Sequence, residues 1–331
     1  MSEQVQVLVA GAFPDRLNTN TALRRYLVEG FREVLGAAAV AEASLETLLP
    51  ELQRHRPRLL LCLGSCPPEV VNYQPVRAAC DALGTHLAFW LHDDPYEFDL
   101  AYSATDVADT VFSNDGWAVL HYDHPRAFHL PMAASGKAHA RPWRDDKTRD
   151  VFFCGVAFAN RIAIVRDLAP RLARCRSEIL GTDWPAELPF AHNRRLANAE
   201  LADACAASTV TLSLGRNLHF ANRRYQLDPS TPGPRTFEAA MAGTVQLHFA
   251  DSLEITDYFA DGEGVLLFDD PSSFAAQLDA LLADPGYARR IAEAGQARAM
   301  RDHTYARRAE VILQRCGMAV GTNAGLAVAA G

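Results

Sequence analysis

The sequence predicts an α/β chain made of two Rossmann-like halves, each built on a parallel sheet, and three observations carry that prediction. Short apolar runs alternate with amphipathic stretches along the 331 residues, as in a βαβ series. The runs are continuously apolar, as strands covered on both faces of a parallel sheet must be. The series lapses once, near the middle, and then restarts.

In the first half "VQVLVA" (5–10), "RLLLCLG" (58–64), "HLAFWL" (86–91), "DTVFSN" (109–114) and "AFHLP" (127–131) read as strands, with helical pieces at 20–35 and 73–83 between them. From Met132 to Asp150 the chain turns polar, holds one Gly and one Pro, and has no apolar period. Residues 135–149 are therefore expected to link an N-terminal domain (1–134) to a C-terminal one (150–302). The second half gives strands "DVFFCG" (150–155), "SEILG" (177–181), "STVTLSL" (208–214), "TVQLHF" (244–249) and "GVLLF" (264–268). Its helices are expected near 160–173, 196–207, 234–242, 271–283 and 285–300, before a closing helix and small-residue tail over 303–331. Ligands of such sheets sit beyond the strand C-terminal ends, so the natural site is the cleft between the halves.

Composition bounds the function. The chain is 49% hydrophobic and 22% charged, with a net charge of −8, which argues against broad nucleic-acid binding. No apolar run approaches the roughly 20 residues that span a bilayer, and no basic region precedes the first strand, so a cytoplasmic protein is expected. The seven cysteines are scattered, with Cys62 and Cys66 the one close pair, which fits reduced thiols. There is no G-x-x-x-x-G-K-[ST], no dinucleotide fingerprint, no H-E-x-x-H, no paired C-x-x-C and no G-x-S-x-G, which removes the commonest chemistries of α/β chains. Neither a metal nor a cofactor is expected.

The stretch "TPGPRTFEAAMAG" (231–243) is the most informative. Pro234 suits a first helical position and Gly243 a left-handed exit. Arg235 then falls in the first turn, where the helix dipole disfavours a cation. It is explained either by a modest surface pair with Glu238 or by an anion at that helix end, cradled by Arg235 and the first amides including that of Thr236. Arg161 follows a strand and "CGVAFAN", which contains Gly155, and is either a solvent-facing first-turn residue or a second contact to the anion. Arg216 opens the long irregular segment "NLHFANRRYQLDPSTPGP" (217–234), whose length favours a functional loop. In the first half "LHDDPYEFD" (91–99) sets His92, Asp93 and Asp94 at the end of a strand facing the cleft. They read as a turn cap, as a metal site, or as a carboxylate that orients or deprotonates a hydroxyl. Gly11, in the first strand–helix loop "AGAFPDRLNTNT", permits close approach; Asn18 or Asn20 is a candidate cap, and Trp184 either borders a base or is plain core.

The run "RTFEAAMAGTVQLHF" resembles the nucleotide-binding segment of the CgeB-like (spore maturation protein) glycosyltransferases of the GT-B fold. "DVFFCGVAFANR", "STVTLSLGR" and "HTYARRAEVIL", with His303, Tyr305 and Arg308 on pattern, follow in the matching order, and "HLPMAAS" (129–135) is similar to the usual exit from the first domain. The likeness covers roughly 150–315 well and the first half loosely. It implies a GT-B glycosyltransferase with a nucleotide-diphosphate sugar as donor, an acceptor that is a glycan, peptide or small molecule, and a last helix packed back on the N-terminal domain. It also implies that Arg235, Arg161, Arg216, Gly155 and Thr236 serve the donor, while Glu238, matching the second of two glutamates in related retaining enzymes, holds the ribose. Ser230 stands where the first glutamate belongs. A nucleotide-sugar epimerase on the same fold and a catalytically silent nucleotide-sugar-binding partner are the alternatives.

Overall fold

The computed structural model describes residues 4–17, 21–64, 71–252 and 254–319. Two six-stranded sheets, parallel throughout, follow one another along the chain. The first, in the order β2-β1-β3-β4-β5-β6, comprises β1 (Val7–Gly11), β2 (Val40–Ala43), β3 (Leu59–Gly64), β4 (His86–Leu91), β5 (Thr110–Ser113) and β6 (Ala127–His129). The second, in the order β12-β11-β10-β7-β8-β9, comprises β7 (Arg149–Cys154), β8 (Ser177–Leu180), β9 (Ala191–His192), β10 (Ser208–Ser213), β11 (Val245–Phe249) and β12 (Leu266–Phe268). The strand order reverses between β1 and β3 in one sheet and between β7 and β10 in the other, and such switch points open crevices at strand C-terminal ends.

Helices cover both faces of each sheet. Around the first lie α1 (Thr21–Leu35), α2 (Leu48–His55), α3 (Gln74–Leu83), α4 (Tyr102–Thr105) and α5 (Gly116–Val119). The crossing between sheets holds α6 (Gly136–His139), capped by the Ser135 hydroxyl, with Ala133 and Ala134 buried. Around the second lie α7 (Ala159–Leu172), α8 (Asn198–Ala206), α9 (Pro234–Met241), α10 (Ile255–Tyr258), α11 (Pro271–Ala283) and α12 (Pro285–Asp302), and α13 (Tyr305–Arg315) closes the fold. This double coverage accounts for the continuous apolarity of the strands: every residue of β1 and β3 is buried.

The expected strands and helices are all present, with ends shifted by a few residues, and Gly243 leaves α9 with φ +64° as expected. Seven elements went unread: β2, β9, α2 and the four-residue helices α4, α5, α6 and α10. β2 is four residues with a half-exposed middle, and β9 only two, so neither makes an apolar run. α2 contains Pro50, which reads as a breaker but stands in the first turn, where its missing N–H has no helical partner to lose. The candidate caps Asn18 and Asn20, and Cys66 of the close cysteine pair, lie outside the described residues. Cys80 and Cys205 are buried, which pushes their thiols up to about 11 and about 12.

Helix α13 packs back on the N-terminal lobe, against α1. Ala134 and Thr304 form a bridge, and the Arg308 guanidinium donates to the carbonyls of Pro131, Met132 and Asp302. One apolar core joins Phe31 of α1, Ile312 of α13 and Phe237 and Met241 of α9, so both lobes share it.

Candidate active site

A cavity of about 370 Å³ lies between the lobes. On the C-terminal side its wall is the switch point, with Cys154 and Gly155 at the end of β7 and Ser213, Leu214 and Gly215 at the end of β10. On the N-terminal side it is reached by the segments after β4 and β5, which bring His92, Asp93, Asp94, Tyr96 and Asn114.

Helix α9 points its N-terminus at this space. Gly233 caps it without a side-chain hydrogen bond. Pro234 has no N–H and the Thr236 amide donates to the Gly233 carbonyl at 3.1 Å, so the Arg235 amide is the one in the first turn left for another acceptor. Arg235 and Glu238 do form the i,i+3 pair, Nη1 to Oε2 at 3.0 Å. It is not a solvent pair: both residues line the cavity, the Arg235 side chain is 37% exposed and that of Glu238 only 8%. Glu238 has a second neighbour in His139, whose Nε2 is 3.7 Å away. The two explanations of Arg235 are thus compatible, because its partner shares the wall.

Arg161 and Arg216 serve differently. The Arg161 guanidinium donates to the carbonyls of Gly215, Val156 and Leu214 at 3.0, 3.1 and 3.1 Å, which occupies three of its five N–H groups and ties two loops together. Burial lowers its pKa to about 10. Gly155 leaves room for this guanidinium, since a Cβ there would stand 2.9 Å from Arg161 Nη1. Arg216 crosses the cleft instead: Nη2 is 3.0 Å from Asp93 Oδ1, and the guanidinium carbon lies 3.5 Å from the centre of the Tyr96 ring.

Asp93 is held from both lobes, with His92 Nδ1 3.3 Å from its other oxygen. Burial would raise its pKa, but His92 and Arg216 more than offset this and hold it well below the usual carboxylate range. His92 moves the opposite way: burial works against its charge, and the Asp93 carboxylate outweighs burial. Asp94, 4% exposed, accepts hydrogen bonds on Oδ2 from the Ser113 and Tyr122 hydroxyls, each at 2.6 Å. Burial raises its pKa to about 7, and those donors do not fully counter it. Of the three readings of this segment, the turn is present, closed by Tyr96 N on the Asp93 carbonyl at 2.9 Å, and it is tied to the segment after β5 by Asp94 N on Asn114 Oδ1 and Asn114 Nδ2 on the Asp94 carbonyl. Among the described residues no group of three or more His, Cys, Asp or Glu side chains is placed to hold a metal ion.

Thr236 lines the cavity, but Gly11 does not. Gly11 ends β1 at the switch point of the other sheet, where Arg24 packs on it and is paired to Asp15 and Glu42. The neighbouring α1 contributes Leu23 to the cavity. Trp184 is core, 3% exposed, with its indole N–H on the Gly155 carbonyl.

The segment 217–233 docks on the opposite lobe. Asp99 N donates to the Ala221 carbonyl, and the Asp99 carboxylate accepts from the amides of Arg223 and Arg224. Asp115 accepts from the amides of Ser230 and Thr231 at 2.7 and 3.1 Å while capping α5. Sequence reasoning missed Asp115, Tyr96, Ser213, His248 and Asp251. Tyr96, Ser213, His248 and Asp251 line the cleft, whereas Asp115 is buried behind it and holds Ser230 and Thr231. The strand-end positions of Ser213 and His248 and the place of Tyr96 in "LHDDPYEFD" were the signals available.

With this geometry in hand, the chain can be set beside known proteins. Residues 161–314 match the family model described as glycosyl transferase-like. No curated protein matches by sequence. Among solved structures, the DNA-modifying β-glucosyltransferase, described with uridine diphosphoglucose, aligns with a TM-score of 0.64 at 11% identity, over 96% of this chain and 100% of that one. Anabaena HepE in complex with UDP and glucose gives 0.61 at 11%, over 95% and 100%. The sucrose-phosphate synthase of Thermosynechococcus elongatus gives 0.61 at 13%, over 94% and 98%. The chain therefore has the GT-B fold, and its C-terminal half is glycosyltransferase-like in sequence. No helix among the described residues is long and apolar enough to cross a membrane.

Proposed function

We propose that the chain is a glycosyltransferase that moves a sugar from a nucleotide-diphosphate sugar to an acceptor hydroxyl, with guanidinium groups and a helix N-terminus holding the leaving diphosphate and no metal ion required. One observation carries this reading. A single cavity has Arg235, Arg216 and the open N-terminus of α9 on one wall and His92, Asp93 and Asp94 on the other. The family match over 161–314 supports it, and the ordered motifs favour the CgeB-like branch.

The diphosphate lies against Arg235 and the N-terminus of α9, which stabilise charge as it develops on the leaving group. Arg216 joins them on leaving Asp93. Arg161 acts as a positioning residue, fixing the loops at Val156 and Gly215. Glu238 presents its remaining acceptor capacity to the ribose. The acceptor, a glycan, peptide or small molecule, enters from the side of Asp94. The reaction retains configuration, in keeping with Glu238: the departing phosphate oxygen takes the acceptor's proton and Asp94 orients the hydroxyl. The pKa of Asp94 near 7 favours a second course, inversion, with Asp94 as general base. The anomeric configuration of the product, read by NMR, decides between them.

Calorimetric titration with UDP, GDP and ADP tests the donor site. One base should bind selectively, and Arg235→Ala should weaken it about tenfold or more. If the wild-type protein binds no nucleoside diphosphate, or Arg235→Ala binds as well as wild type, the reading fails. Incubation with the matching nucleotide sugar should slowly release free nucleotide; an isomerised sugar would mean an epimerase, and no product a silent binding protein.

A further inference from the structure

His248 lines the cavity and has no part in the reaction just described. Ser213 and His248 are register partners at the ends of β10 and β11, and Thr236 stands in the first turn of α9, the helix between those strands. Their side chains form a hydrogen-bonded row. Thr236 Oγ1 is 3.0 Å from Ser213 Oγ, and Ser213 Oγ is 2.9 Å from His248 Nδ1. All three residues border the cavity. His248 is 4% exposed, and its Nε2, itself buried without a ligand, has no hydrogen-bond partner among the described residues.

An imidazole serving only to fill space would be better replaced by an apolar ring, because buried polar atoms are normally paired. The other residues of β11 are Val, Gln, Leu and Phe, so size alone does not demand histidine. Burial lowers its pKa to about 4, so the ring is neutral near pH 7. A neutral ring reads hydrogen-bond direction rather than charge.

Resting on the glycosyltransferase reading, we infer that His248 is a donor-binding residue whose Nε2–H donates to an oxygen of the bound diphosphate, with Ser213 and Thr236 as the positioning residues that fix its tautomer. A phosphate oxygen only accepts, and this sets the polarity of the whole row. Thr236 donates its hydroxyl proton to Ser213 Oγ, Ser213 donates to Nδ1, and the ring proton is held on Nε2. The row begins in the first turn of α9, where the Arg235 amide and guanidinium already favour an anion. The diphosphate thus meets a charged donor, a helix amide and a neutral N–H together.

The test uses the nucleoside diphosphate that the wild-type protein binds best, and the same nucleoside without phosphates. His248→Phe should weaken the diphosphate about tenfold or more and leave the nucleoside unchanged. The unligated melting temperature should hold or rise, because an unpaired buried polar atom has been removed. His248→Gln, which keeps an N–H donor, should restore most of the affinity. In ¹⁵N NMR of the wild-type complex, His248 should be the neutral Nε2–H tautomer, and Ser213→Ala should erode that preference. Unchanged diphosphate affinity in His248→Phe overturns the inference, as does an equal loss for nucleoside and diphosphate, or an Nδ1–H tautomer in the complex. If the wild-type protein binds no nucleoside diphosphate at all, the glycosyltransferase reading falls first.

Discussion

Asp94 couples the chemistry of the site to the stability of the chain through one proton. Its carboxyl is buried among Ser113, Tyr122 and Asn114, and its pKa is about 7 in the fold against about 3.9 in an unfolded chain. Between those values the native state binds the proton more firmly than the unfolded state does. The fold is therefore unpenalised at low pH and loses stability as pH rises toward 7, by on the order of 4 kcal/mol over the whole interval. Asp94→Asn carries no such charge and keeps an acceptor for both hydroxyls. Urea denaturation should show the variant gaining on wild type by about 3 kcal/mol between pH 5 and pH 8, with transfer activity lost. Parallel pH profiles would mean that Asp94 is ionised throughout. The aspartate itself was legible, because acidic residues directly after an apolar strand stand at the sheet's C-terminal edge. Its protonation was not: the two hydroxyls that hold it lie 19 and 28 positions away in sequence. His248 was hidden for a related reason, since a strand residue shows its neighbour only when the register is known.

At the scale of elements, the Arg216–Asp93 pair joins the loop after β10 to the turn after β4. Both residues were picked from the sequence for separate duties, and only the fold brings them together. Arg216 is stacked on Tyr96 and neutralised by a carboxylate, so an incoming phosphate has to compete with Asp93 for it. Removing that competitor should help the ligand. Asp93→Asn is expected to tighten nucleoside-diphosphate binding by about tenfold, since a partly buried charge pair is worth on the order of 1.4 kcal/mol or more. The same substitution in an Arg216→Ala background should change nothing. Equal tightening in both backgrounds would show that Asp93 acts through the general field of the cavity and that Arg216 does not bind phosphate. The helices and strands that frame this latch were legible from apolar runs and end signals such as Pro234 and Gly243. The docking of 217–233 was not, because Asp99 and Asp115 act on backbone amides, and any residue type can supply an amide.

For the whole molecule, the doubled βαβ series was readable apart from β2, α2 and β9, while the way its halves are fastened was readable only by resemblance. The fastening depends on α13, which returns from the second lobe to lie along α1. Gly30 sits in the interior of α1 at the point of closest approach, where an added Cβ would fall 2.5 Å from the Tyr305 backbone. Helix propensity alone favours Gly30→Ala by about 1 kcal/mol. The contact opposes it, because backbone cannot yield as a flexible side chain does, and overpacking costs about 1–3 kcal/mol. The second effect should win. Gly30→Ala is expected to lower stability by about 1–2 kcal/mol in urea unfolding. Because the core beneath α13 includes Phe237 and Met241 of α9, the shift should also be felt at the cavity wall, as a two- to fivefold weaker grip on the nucleoside diphosphate (roughly 0.4–1 kcal/mol). Gly30→Ser should do the same for the same steric reason. A stabilised Gly30→Ala variant with unchanged nucleotide affinity would show that α13 rests on the first lobe without fixing the cleft.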